Sequence, residues 1–163
     1  MGMNTIIHGF KGLFNRRRDE LVYSQSGLER FIEAQKRDWP TALTEIKTGR
    51  KQTHWIWYIF PQLVGLGGSC YSKLYGIRDL KEAEAYLNHP ILGRRLQEIT
   101  SELLKHSDLA AADIFGELDA MKVKSCMTLF DIVSPNDVFA QILDMFYGGK
   151  RCELTMANLK SGE

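Results

Sequence analysis

Apolar residues recur along most of this chain every three to four positions, the spacing that lines one face of an α-helix. Ser26, Gly27, Leu28 and Glu29 match an S-x-x-E capping box, and Leu28, Phe31, Ile32 and Gln35 continue with helical period. Trp39-Pro40 predicts a break there and the start of a second helix. Ala42, Leu43 and Ile46 give that helix a buried stripe and Gly49 a stop, so the pair reads as a helical hairpin. Asp79 with Glu82 predicts a short helix through Leu87, closed or kinked by His89-Pro90. Ile91, Leu92, Leu96, Ile99, Leu103 and Leu104 form the apolar stripe of another. Asp108 is the expected cap of a one- to two-turn helix burying Ile114 and Phe115 and ending at Gly116. Asp119 is the expected cap of the next, which runs to about Val133. Ser134-Pro135 resets the chain before Val138, Phe139, Ile142, Leu143 and Phe146, and Gly148-Gly149 ends that helix. Residues 150–163 read as a charged turn with one helical turn from Thr155. These patterns predict an all-α fold: a compact single-domain bundle of about six to eight helices. The one stretch whose β-branched and aromatic content also permits a strand is Trp55 to Phe60.

Residues 1–26 stand apart from this domain, which spans 27–160. They carry Arg16, Arg17 and Arg18, with Ile6, Ile7, Phe10, Leu13 and Phe14 at helical spacing, and so read as a basic amphipathic arm. Docking on its own domain is the simplest role for such an arm; a membrane interface or a targeting segment is the alternative.

Composition narrows the classes. Twenty-one Lys plus Arg against twenty Asp plus Glu leave a net charge of +1 in 163 residues, so no global field recruits nucleic acid or an anionic membrane. No nucleic-acid partner is expected. Hydrophobic residues at 44% and charged ones at 25% fit a folded globular domain. Cys70, Cys126 and Cys152 form an odd set without a CxxC pair, which fits neither a disulfide framework nor a zinc site and suits a reducing cytoplasm. No run of 18 apolar residues exists to cross a membrane, no metal site is expected because His54, His89 and His106 lack paired-ligand spacing, and no motif implies a cofactor.

Candidate chemistry concentrates in Lys51 to Tyr75, KQTHWIWYIFPQLVGLGGSCYSKLY, which holds two of the three Trp and three of the six Tyr. His54 has the chemistry of a general base, a ligand donor or a pH switch, and equally that of a residue fixing a loop. Trp55 and Trp57 share one side of a strand but lie about 200° apart on a helix, serving as core or as a stacking platform. Gly65, Gly67, Gly68 and Ser69 could present backbone N–H groups to a phosphate, or simply make a tight turn. The segment lacks GxxxxGK[ST] and the full GxGxxG fingerprint. Gln62 and Tyr75 are polar groups set beside the aromatic block. A second constellation, Asp119, Lys122, Ser125, Thr128 and Asp131, puts polar groups on one helix face, where Lys122 offers an anion contact and Ser125 and Thr128 line a surface. A solvent-facing or close-crossing helix face is the plainer reading.

HWIWYIFPQLVGLGGS, EAEAYLNHPILGRRLQE, IFGELDAMKVKSCMTLF and MFYGGKR together resemble the domain-of-unknown-function family 1810, over about residues 27–160. The resemblance implies a small, mainly helical domain and supplies no activity. Members are often labelled calpastatin, but nothing here looks like a disordered, repeat-built inhibitor. His54, Trp55, Trp57, Phe60, Pro61, Gln62, Gly65, Gly67 and Ser69 match the central motif, and Lys122, Ser125, Met127, Thr128 and Phe130 the later one. Cys152 stands where the family usually has an acidic residue, and Leu154 where a charged one is common. Two functions are expected from these residues. One is a pocket for a nucleotide- or ADP-ribose-like ligand, with His54 or Lys122 as polar effector. The other is a non-enzymatic module that binds a protein partner.

Overall fold

The structure is a computed structural model and describes residues 27–161; the basic arm and its amphipathic spacing lie outside the described residues. Nine helices occur among these residues: α1 Glu29–Thr48, α2 Ile56–Ile59, α3 Cys70–Leu74, α4 Leu80–Asn88, α5 Leu92–Leu103, α6 Ala111–Phe115, α7 Glu117–Val133, α8 Val138–Tyr147 and α9 Glu153–Ser161. No strand forms among the described residues; one isolated parallel bridge joins Leu63 and Ile77. The all-α expectation is met.

The expected helical hairpin is a single helix instead. α1 runs through Pro40, because Phe31, Gln35, Ala42, Glu45 and Ile46 stay on one buried face from end to end. Proline removes one intrahelical hydrogen bond, at a cost of about 3 kcal/mol in a helix interior. Here packing on both sides of Pro40, itself exposed, outweighs that loss. Gly49 ends α1 in the left-handed region, at φ 86°. Ser26 of the expected capping box lies outside the described residues, and Leu28 occupies the cap position without a side-chain bond.

Asp79 caps α4 as expected, its carboxylate accepting the Glu82 N–H at 2.8 Å. Asp108 does not cap α6; the Asp113 carboxylate accepts the Ala110 N–H at 2.9 Å instead. Asp119 likewise falls inside the first turn of α7, which already starts at Glu117. The tail is longer than one turn: α9 spans nine residues, with Thr155 wholly buried.

Trp55–Phe60 resolves as the one-turn helix α2, not a strand. The two tryptophans therefore point apart. Trp55 is wholly buried, near Phe60 at 6.2 Å between ring centroids, and its indole N–H donates to Glu45 at 2.9 Å. Phe60 meets Phe115 edge-on at 5.8 Å. Phe31, Tyr86, Phe130 and Phe139 continue the aromatic core across α1, α4, α7 and α8.

The chain between Leu63 and Ile77 is a closed loop carrying α3. Its ends meet through Val64 N–H on the Ile77 carbonyl and Ile77 N–H on the Gln62 carbonyl, both at 2.8 Å. Arg30 of α1 anchors the base of this loop, donating to the carbonyls of Leu74 and Gly76 and pairing with Glu82 at 2.8 Å. A side chain at Gly76 would press on Val64 and the Ser72 carbonyl at 2.7 to 2.8 Å, so only glycine lets the loop close so tightly.

Candidate functional site

Trp57 leaves α2 on the side opposite Trp55 and reaches the surface. Its ring stacks on Tyr71 at 4.8 Å, and Tyr71 in turn stacks on Tyr75 at 6.3 Å. Tyr71 is 44% exposed. The Lys122 ammonium, from α7, lies 5.3 Å from the centroid of the Trp57 ring. The indole N–H of Trp57 is buried and has no hydrogen-bond partner among the described residues. A buried donor left unsatisfied costs about 1 to 3 kcal/mol, so the Trp57 indole is held in place at a local energetic cost.

The glycine turn lies between α2 and α3. Gly65, at φ 93°, lies beside the Asn158 carboxamide of α9. Gly67 packs against Ser72 and near the Gln62 carboxamide. Ser69 caps α3: its hydroxyl accepts the Ser72 N–H at 3.1 Å and donates to the Ser72 hydroxyl at 2.9 Å. Among the described residues, the backbone N–H groups of Gly67, Gly68 and Ser69 make no hydrogen bond, and Gly68 and Ser69 are exposed.

Lys122 belongs to a charged triad. Lys51 pairs with Asp119 at 2.8 Å, and Lys122 shares that carboxylate at 3.3 Å. The Lys51 ammonium also lies 5.0 Å from the Trp55 ring centroid. Two cations thus meet one carboxylate between two indoles, leaving one positive charge uncompensated within the triad.

The remainder of the polar α7 face holds the tail. Ser125 contacts the Cys152 thiol at 3.2 Å, the Thr128 hydroxyl accepts the Cys152 N–H at 2.8 Å, and Asp131 pairs with Arg151 at 2.7 Å. Three hydroxyl or carboxylate groups one turn apart therefore form a track on which residues 151–152 lie before α9 begins. Burial opposes ionisation of the Cys152 thiol, but the hydroxyl of Ser125 and the backbone N–H groups at the start of α9 favour the thiolate, outweigh burial and hold the thiol below its ordinary range. Cys126 is the opposite case, pushed well up by burial.

Of the residues singled out in sequence, Trp57 meets Lys122 and, through Tyr71, lies near Tyr75, while Gln62 and Gly67 lie together beside Ser72 and Ser69. Trp55 and Thr128 are wholly enclosed. His54 is exposed in the loop before α2, where its carbonyl accepts the Tyr58 hydroxyl at 3.3 Å; no side chain orients its ring among the described residues. Lys51 and Asp119 escaped notice as partners because 68 positions separate them in sequence.

A concavity of about 460 Å³ lies away from these residues, between the start of α1 and α4, lined by Leu28, Ile32, Arg78, Asp79, Glu82 and His89 among others. Sequence reading took Asp79 and His89 there only as helix punctuation. Its polar groups are largely committed: Glu82 accepts from Arg30 and Arg78, Asp79 caps α4, and His89 Nδ1 accepts the Ile91 and Leu92 N–H groups. No cluster of three or more His, Cys, Asp or Glu side chains suited to a metal occurs among the described residues. No helix among them is long and apolar enough to cross a membrane.

A family described as "Protein of unknown function (DUF1810)" matches residues 25–159. Among solved structures, the conserved hypothetical protein Rv1873 from Mycobacterium tuberculosis is 41% identical with a TM-score of 0.80, over 82% of this chain and 96% of that one. No curated protein matches.

Proposed function

The chain belongs to the DUF1810 family of proteins of unknown function, and from that premise we propose that it is a small binding domain for a nucleotide- or ADP-ribose-like ligand. The observation that carries this reading is Trp57: an indole stacked on a half-exposed tyrosine, beside a lysine ammonium, with its N–H lacking an acceptor. A ligand with a flat base and an anionic, acceptor-rich arm complements those features. The base stacks with the Trp57 and Tyr71 rings. The phosphates meet Lys122 and the open N–H groups of Gly67, Gly68 and Ser69, which act as oriented backbone dipoles toward an anion. Gln62 and Tyr75 flank the position and Ser125 lies one helical turn from Lys122, whereas Trp55 and Thr128 support the face from within. His54 has no assigned step, and no bond is made or broken in this proposal.

A thermal-shift screen of nucleotides and ADP-ribose derivatives tests it. Ligand at a hundred times its Kd stabilises the fold by about 2.7 kcal/mol. Trp57→Phe keeps a ring but loses the N–H and much of the stacking area, and is expected to weaken binding by about tenfold or more. A folded wild-type protein that shifts with none of these compounds would exclude the reading.

The second reading, a protein-interaction module, is favoured by exposed apolar side chains: Leu118 is 77% and Met121 64% exposed, three residues apart on α7, and Leu154 is 62% exposed on α9. It predicts capture of a partner that Leu118→Glu with Met121→Glu abolishes while Trp57→Phe does not.

A further inference from the structure

Resting on the ligand site just proposed, we infer that Asp119 and Lys51 set its charge selectivity: Asp119 holds Lys122 in reserve, and Lys51 makes its release inexpensive, so the site takes phosphorylated ligands over neutral nucleosides. Two cations share the Asp119 carboxylate, and they are held to it unequally. Lys51 is the fixed member. Its side chain is 8% exposed, its ammonium lies 2.8 Å from Asp119, and its backbone N–H donates to the Ile114 carbonyl at 2.8 Å. Lys122 is the loose member, with a 29% exposed side chain and a longer contact of 3.3 Å to the same carboxylate.

A phosphate arriving beside Trp57 competes with Asp119 for Lys122. In most buried pairs, withdrawing one partner strands the other charge and carries a large penalty. Here Asp119, only 18% exposed, keeps Lys51 when Lys122 turns away. A neutral nucleoside offers Lys122 nothing in exchange, so it gains stacking alone. Lys51 therefore acts on the ligand through Asp119, as a positioning residue and not as a contact.

This coupling gives a signed prediction for three variants. Kd values for AMP and ADP-ribose, with adenosine as the uncharged reference, are measured by calorimetry. Asp119→Asn removes the competing charge and is expected to tighten both phosphorylated ligands by about three- to tenfold, with adenosine nearly unchanged. Lys51→Met leaves Asp119 to Lys122 and weakens the phosphorylated ligands by about tenfold, again sparing adenosine. Combining the two restores tight phosphate binding, because Lys51 reaches the ligand only through Asp119.

A phosphate-to-nucleoside preference that is the same in wild type and Asp119→Asn overturns the inference while leaving the ligand site standing. So does a Lys51→Met loss that Asp119→Asn fails to reverse. Should Lys51→Met not fold, the near-isosteric Asp119→Asn still decides the matter alone. Wild-type protein that binds none of the three compounds removes the ligand site and this inference together.

Discussion

Glu45 shows how a single buried side chain can organise a functional segment from outside it. Its carboxylate accepts the Gln52 and Thr53 N–H groups, the Thr53 hydroxyl and the Trp55 indole N–H, so α1 fixes the loop that aims both tryptophans. Burial works against its charge, but those four donors outweigh it and hold the group below the ordinary carboxylate range. Glu82 is held down in the same way, burial being outweighed by Arg30 and Arg78. A carboxylate whose folded pKa is depressed contributes stability that is complete above its unfolded value and lost as pH falls through the folded one. The urea midpoint is therefore expected to be flat from neutral pH down to about 5 and to fall below it, with a shallower fall in Glu45→Gln. An equal fall in that variant would contradict the assignment. Glycine 93 makes a sharper test of packing. A methyl group there would sit 1.8 Å from the Leu87 carbonyl oxygen, a backbone atom at the α4–α5 corner. Gly93→Ala is expected to lose at least about 2 kcal/mol in urea unfolding. Neither role was visible in sequence: Glu45 reads as an ordinary charged position of a helix, and Gly93 as an indifferent one.

At the scale of the element, α1 and α9 depart from the sequence pattern for opposite reasons. Sequence pattern predicts a break in α1 at Pro40 because the local cost of proline is readable, whereas the packing that overrides it depends on where α4 and α5 fall in space. If tertiary packing alone carries α1 through Pro40, Pro40→Ala restores the missing hydrogen bond and raises the melting temperature, by about 1 to 3 kcal/mol of stability. A lower melting temperature would mean that the proline shapes the helix. The pattern predicts only one turn for α9 because its residues make no apolar stripe. It is held instead by the turn before it, through Thr128, Ser125 and Asp131, more than twenty positions earlier for the two hydroxyls and twenty for the carboxylate. The same track explains why the polar face of α7, with Ser125, Thr128 and Asp131, is buried rather than solvent-facing. Thr128→Val removes the acceptor for the Cys152 N–H and is expected to speed amide exchange across Glu153–Ser161 by about tenfold, with little change in α1 or α5. Uniformly faster exchange would show that Thr128 supports the whole core instead.

For the molecule as a whole, the helical period gave the fold class because amphipathic stripes are local, and the aromatic segment stood out because its composition is unlike that of its surroundings. What the sequence could not show is which members of that segment share a surface. That depends on α2 turning Trp57 away from Trp55, on the bridge between Leu63 and Ile77 bringing Tyr71 back over it, and on α7 supplying Lys122. Each is a contact between elements, fixed only when the chain closes. In the proposed function, this assembled face, and not the cleft between α1 and α4, takes a nucleotide-like ligand. Titrating ADP-ribose into uniformly ¹⁵N-labelled protein and following its ¹H–¹⁵N correlation spectrum tests this most directly, since the Trp57 indole and the Gly67, Gly68 and Ser69 amides each give a separate signal. Saturable shifts of these four resonances are predicted, while the amides of Ile32, Ala85 and His89 stay in place; saturable shifts confined to that second set, or none anywhere, would contradict the claim.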